Sequence, residues 1–165
     1  KIRELEDIYQ AYIQKDIRSF LKINNIMAYN QLIRLLAFQS GGILNVSNIS
    51  QDIGLDRRTI LSYIQLLKDT FIIVELPSFH AVQKKKELIK APKLYFLDTG
   101  IRNFSLSQFP ASPENSSDRG ELLETSLVAE AYKKRDILEQ LYYWRTKTGL
   151  EIDLIQVKAG KATAL

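Results

Sequence analysis

The chain has 165 residues, 45% of them apolar, with a formal net charge of +4 and a pI near 9.2. That length holds one ordinary domain or two small ones with a real core, and a mildly basic balance fits phosphate partners without demanding them. The absence of cysteine excludes disulfides, Cys-type zinc sites and thiol nucleophiles, and a single histidine, His80, leaves no room for a His-rich metal site.

No apolar run approaches the roughly 20 residues needed to span a bilayer, and the charged N-terminus does not lead into a signal-peptide core. The expectation is a soluble, cytoplasmic protein without a membrane partner. In chain order, Lys1 to about Ile23 places Leu5, Ile8, Tyr12, Ile13, Ile17, Phe20 and Leu21 at helical steps. No cap precedes this pattern, as expected for a piece of a longer protein. A second helix is predicted from Tyr29 to Phe38, ending at Gly41-Gly42. Val46, Ile49 and Ile53 form a short helix capped by Asn45 or Ser47. Gly54-Leu55-Asp56 is a tight turn, and Thr59 to Lys68 is a third helix.

Phe71–Leu76 and Lys93–Leu97 read as paired strands around a loop rich in lysine. From Ser105 to Asp118 the composition turns to Ser, Pro, Asn and Gln, marking a loop or linker. Gly120 to Lys134 then reads as a helix with Leu123, Leu127, Val128 and Ala131 inward. The hairpin Tyr143–Arg145 and Glu151–Ile155 follows, with Glu151 and Asp153 on one face of its second strand.

Three helices, the last two joined by a Gly turn, then a strand, a basic loop and a strand, follow the order of a winged helix-turn-helix. In a DNA-binding version Arg57, Arg58, Thr59 and Ser62 would face the major groove, and Lys84, Lys85 and Lys86 would meet phosphates as a wing. The alternative is a helical connector with solvated charges, since winged helices also mediate protein contacts.

Several stretches together resemble a known family: Tyr12–Ile17, the Ile49–Leu67 helix-turn-helix, Ala91-Pro-Lys-Leu-Tyr-Phe-Leu-Asp-Thr-Gly-Ile101, Arg119-Gly-Glu-Leu-Leu-Glu124, and Tyr143-Trp-Arg with Glu151-Ile-Asp153. They are similar, in order, to the region of unknown function that follows the ATPase module in a group of prokaryotic AAA+ superfamily ATPases. That resemblance implies a winged helix followed by a restriction-endonuclease-like domain. Its acids would be Glu124 on a helix and Asp153 on the hairpin with Glu151 beside it, Glu124 and Asp153 being the implied ligands of Mg²⁺, with a lysine assisting water. Other readings stay open. Glu124 suits a first helical turn through the helix dipole, and Glu151 and Asp153 suit an exposed edge or a salt bridge to Arg145.

The final acid-x-Lys of that pattern is not present. Gln156-Val-Lys158 has Gln for the acid and lies on the same strand as Asp153, so Lys158–Lys161 is read as a turn and Ala162–Leu165 as the next strand. A phosphate-binding Gly-x-x-x-x-Gly-Lys-[Ser/Thr] is lacking too, so ATP would be reached only through a separate ATPase module, and Mg²⁺ only in a longer parent. His80 lacks an obvious Ser or Asp partner, and Asp98-Thr-Gly100 reads as a strand-ending turn rather than a protease motif.

The expectation is therefore an α+β protein. Residues 1–104 would be helices and winged helix, 105–119 a linker, and 120–165 a partial, C-terminally truncated nuclease-like α/β unit. Its expected function is a non-catalytic module binding double-stranded DNA or a protein beside an AAA+ ATPase. The alternatives are part of a Mg²⁺-dependent nuclease active only in the parent, or a protein-interaction adaptor.

Overall fold

The structure, a computed structural model, describes residues 25–79, 91–108 and 118–165, together with Arg3, Glu4, Asp7 and Ala11. The expected N-terminal helical stretch lies largely outside these residues, as do His80 and the lysines at 84–86. What is described is α+β: five helices and two small antiparallel sheets.

Helix α1 (Ile26–Phe38) starts where the Asn25 side chain accepts from the Ala28 amide at 3.0 Å, three residues before the apolar pattern suggested. Its buried residues, Tyr29, Leu32, Ile33 and Leu36 among them, recur at three and four. Helix α2 (Val46–Ile53) is capped by Asn45 rather than Ser47, through the Asn48 amide. It ends at Gly54 with φ +73°, a left-handed cap that glycine adopts without steric cost. Helix α3 (Arg57–Asp69) opens on Asp56, whose carboxylate accepts from the Arg58 and Thr59 amides at 3.0 Å each. Ile60, Tyr63, Ile64 and Leu67 face inward, and Tyr63 meets Tyr29 edge-on with ring centroids 5.2 Å apart.

Strands β1 (Ile73–Leu76) and β2 (Lys93–Phe96) pair antiparallel, with Leu76 opposite Lys93 and Val74 opposite Tyr95. The loop after α1 joins the free edge of β2. Gly41 and Leu44 donate to the Leu94 and Pro92 carbonyls, and Ile43 bridges Lys93. The ribbon is apolar on both faces. Ile73, Leu94 and Phe96 pack into the core of α1–α3, while Val74, Leu76, Tyr95 and Leu97 join Val128, Ala129, Leu141, Tyr143 and Leu154 in a second core. Period-two alternation thus feeds two cores from four-residue strands.

After β2 the chain enters a short helix, α4 (Thr99–Ser105), capped by Asp98 through the Ile101 amide at 2.9 Å. This corrects the turn expected at Asp98-Thr-Gly100: an Asp cap serves a helix start as well as a turn. Buried Arg102 of α4 binds Asp118 at 2.5 Å and so ties α4 to the start of α5 (Arg119–Lys134). The expected inward face of α5 holds for Val128 and for Ala131, which packs against the second core, and is corrected for the two leucines. Leu123 and Leu127 are each 60% exposed, whereas Thr125, Val128 and Ala129 are buried. A polar residue, Thr125, occupies an inward position because it pairs with the buried Ser40 hydroxyl at 3.1 Å, and this hid the true stripe.

Strands β3 (Gln140–Arg145), β4 (Glu151–Lys158) and β5 (Lys161–Ala164) form an antiparallel meander, with the expected turns at Gly149 and Gly160. The Tyr143 amide donates to Pro77 and the Tyr143 carbonyl accepts from Phe79, joining this sheet to the extension of β1. Among the described residues no helix is long and apolar enough to cross a membrane.

Candidate functional site

One buried cation gathers the acids that the sequence singled out. Lys93 leads β2 on the face of Tyr95 and Leu97, and is 3% exposed. Its Nζ lies 3.0 Å from Glu124 Oε1, 2.6 Å from Glu151 Oε1 and 2.9 Å from Asp153 Oδ1. The three carboxylates arrive from α5 and from alternate positions of β4, so the period of two that put Glu151 and Asp153 on one face is realised here. Arg145 reaches the other oxygen of Glu151 at 3.5 Å across the hairpin. The strand-pair salt bridge and the carboxylate cluster are therefore parts of one arrangement.

Aromatic residues wall the group. The Tyr95 hydroxyl donates to Glu124 Oε1 at 2.6 Å, and the Tyr95 and Tyr143 rings lie 6.0 and 5.7 Å from the Lys93 ammonium. The Tyr143 hydroxyl donates to the Ala91 carbonyl, fixing the approach to β2. Gly41, at φ +87°, passes so close that a Cβ there would lie 3.5 Å from Glu124 Oε1. Beside Glu124 opens a cleft of about 410 Å³ lined by Gly41, Gly42, Asn45, Asn48 and Glu121.

Burial would strip the proton from Lys93, but the hydrogen bonds to Glu151, Asp153 and Glu124 outweigh it and hold the ammonium well above the usual lysine range. Burial, reinforced by the bond to Glu124, pushes the Tyr95 phenol up as well, so it stays a donor. Counting Lys93 and Arg145 against Glu124, Glu151 and Asp153 leaves a net charge of −1 (two positive, three negative).

Gln156-Val-Lys158 does not supply the acid-x-Lys of the nuclease-like pattern. The structure brings together three carboxylates and a lysine, the latter from a different strand. The signal was available: in Lys93–Leu97, Lys93 lies in register with inward Tyr95 and Leu97, an unusual place for an unpaired charge. Lys158 is elsewhere, bound to Asp136 at 2.8 Å and Glu139 at 2.7 Å. The implied Mg²⁺ does not fit the residues as placed, because the point on which the acids converge is taken by the ammonium. Among the described residues no group of three His, Cys, Asp or Glu side chains is arranged to hold a metal ion.

The DNA-facing candidates form a separate place. Arg57, Arg58 and Ser62 are exposed on the first two turns of α3. Arg57 donates to the Ser47 hydroxyl at 2.9 Å, and the half-buried Thr59 hydroxyl is bound to the Asp56 carboxylate at 2.5 Å. Thr59 is therefore part of the cap, its hydroxyl engaged by Asp56. Lys84, Lys85 and Lys86 lie outside the described residues.

A family model matches residues 1–113. The chain belongs to that family, described as Domain of unknown function (DUF8612). The DUF8612 span contains α1–α4 and Lys93, while Glu124, Glu151 and Asp153 lie beyond it. No curated protein and no solved structure matches the chain.

Proposed function

We propose that this DUF8612 protein is a non-catalytic, cytoplasmic DNA-binding module that works beside the ATPase module of an AAA+ ATPase, α1–α3 and the ribbon serving as a winged helix-turn-helix. The observation that carries the reading is the amphipathic split of α3. Arg57, Arg58 and Ser62 face solvent on its opening turns while Ile60, Tyr63 and Ile64 anchor the opposite side. The left-handed Gly54 and the Asp56 cap set that end of the helix at the surface. The loop segment 41–44 between the first two helices lies along the free edge of β2, with one antiparallel bridge from Ile43 to Lys93, an arrangement consistent with a winged-helix sheet. Exposed Arg side chains at a helix start suit phosphate and base-edge contacts, and the lysines at 84–86 would add phosphate contacts as a wing. The link to an AAA+ ATPase rests on the motif resemblance, and ATP would enter only through that module.

The test is fluorescence anisotropy with a short mixed-sequence duplex across a salt series. Binding should weaken steeply with salt, and Arg57→Ala/Arg58→Ala should flatten the log–log slope by about 2. No binding at low salt would sink the DNA reading and leave the protein-interaction adaptor. Binding undiminished in the double variant would remove α3 as the reading element.

A second reading, part of a Mg²⁺-dependent nuclease active only in a longer parent, draws on the convergence of Glu124, Glu151 and Asp153. Lys93 at their centre counts against it. Divalent-metal binding by the unaltered chain that Asp153→Ala abolishes would restore it.

A further inference from the structure

We propose that the Lys93 ammonium is a built-in counter-ion that occupies the Glu124–Glu151–Asp153 cluster and closes it to divalent cations. A cation is needed for these carboxylates to face one point, since like charges so placed repel. The chain provides that cation from β2. Lys93 donates hydrogen bonds to Glu124 and Asp153 and forms an ion pair with Glu151 at 2.6 Å, three contacts of 3.0 Å or less to one nitrogen. A metal at that point would have to displace Nζ, and the displaced ammonium would have little room. Lys93 is 3% exposed and walled by Tyr95 and Tyr143, with Leu76 opposite it across the ribbon.

The cost of displacement is what makes the lock selective. Lys93 would lose two charge-assisted hydrogen bonds and the ion pair to Glu151 while remaining desolvated, which strongly disfavours a buried ammonium. A divalent ion would also have to shed water to enter. The inference concerns only this cluster and is independent of whether α3 binds DNA.

The experiment titrates Mn²⁺ into the 165-residue chain and reads free Mn²⁺ by electron paramagnetic resonance. The unaltered protein should show no site depending on Asp153. Lys93→Met should gain one site, at least ten-fold tighter than any in the unaltered protein and lost again in Lys93→Met/Asp153→Asn. Mn²⁺ binding by the unaltered chain that Asp153→Asn abolishes overturns the proposal, as does a folded Lys93→Met with no gain. If Lys93→Met does not fold, Lys93→Met/Glu151→Gln, which removes one carboxylate with the ammonium, is judged by the same gain. Should neither variant fold, the unaltered chain still decides against the lock if it shows an Asp153-dependent site.

Discussion

Replacing Lys93 by methionine keeps a long apolar stem in the ribbon and deletes only the ammonium. Three carboxylates are then left facing one another with only Arg145, on the far oxygen of Glu151, as counter-charge. Removing one partner of a fully buried ion pair costs about 3–5 kcal/mol, whereas an exposed pair is worth about 0–1 kcal/mol. Here the lysine side chain is 4% exposed, while Glu151, Glu124 and Asp153 are 24%, 28% and 56% exposed. Water can recover part of the loss at the acids, Asp153 above all. The expected destabilisation is about 3 kcal/mol, toward the lower end of the buried range. With a urea slope of about 2 kcal/mol per molar, the unfolding midpoint should fall by about 1.5 M. Chemical unfolding followed by far-ultraviolet circular dichroism and by Trp144 fluorescence measures this. A second substitution, Glu151→Gln, should return part of the loss by relieving repulsion. A midpoint drop below about 0.5 M would mean that the cluster behaves as a surface salt bridge, and would refute the reasoning.

Two further outcomes follow from the same geometry. Lys93 is held protonated above its unfolded value of about 10.4, so its contribution is fully present below that pH and lost as pH rises through the folded value; buried Tyr95 shifts in the same direction from about 10. Urea midpoints should therefore decline above about pH 10, less steeply in Lys93→Met, and parallel profiles for the two proteins would contradict the assignment. On α5, Leu123→Ala and Leu127→Ala should each shift stability by no more than about 0.5 kcal/mol. Val128→Ala, which removes two buried methyl-sized groups and leaves a cavity, should cost about 2 kcal/mol in the same unfolding assay.

The order of α1–α3 was legible because its signals are local. Asn45, Gly54 and Asp56 act within four residues of themselves, and the steps of Leu32, Ile33 and Leu36 report one helix face directly. The strands, the hairpin turn at Gly149 and the shared face of Glu151 and Asp153 were readable for the same reason: a period of two is a property of the backbone. The inward face of α5 was misread where hydrophobicity alone was used, since Thr125 is buried through a hydroxyl pair with Ser40, 85 residues away.

Composition, capping residues and periodicity thus determined by themselves an α+β chain, the order of its elements apart from the short helix α4, and which acids could share a side. Tertiary structure alone decided what those acids face. Lys93 is 31 residues from Glu124 and 60 from Asp153, and no local rule links them. They meet because the β1–β2 ribbon is apolar on both sides and must be covered twice, by α1–α3 on one face and by α5 with the hairpin on the other. Closing the second core carries the lysine at the head of β2 into the carboxylates, where an unpaired buried charge would otherwise be too costly to keep.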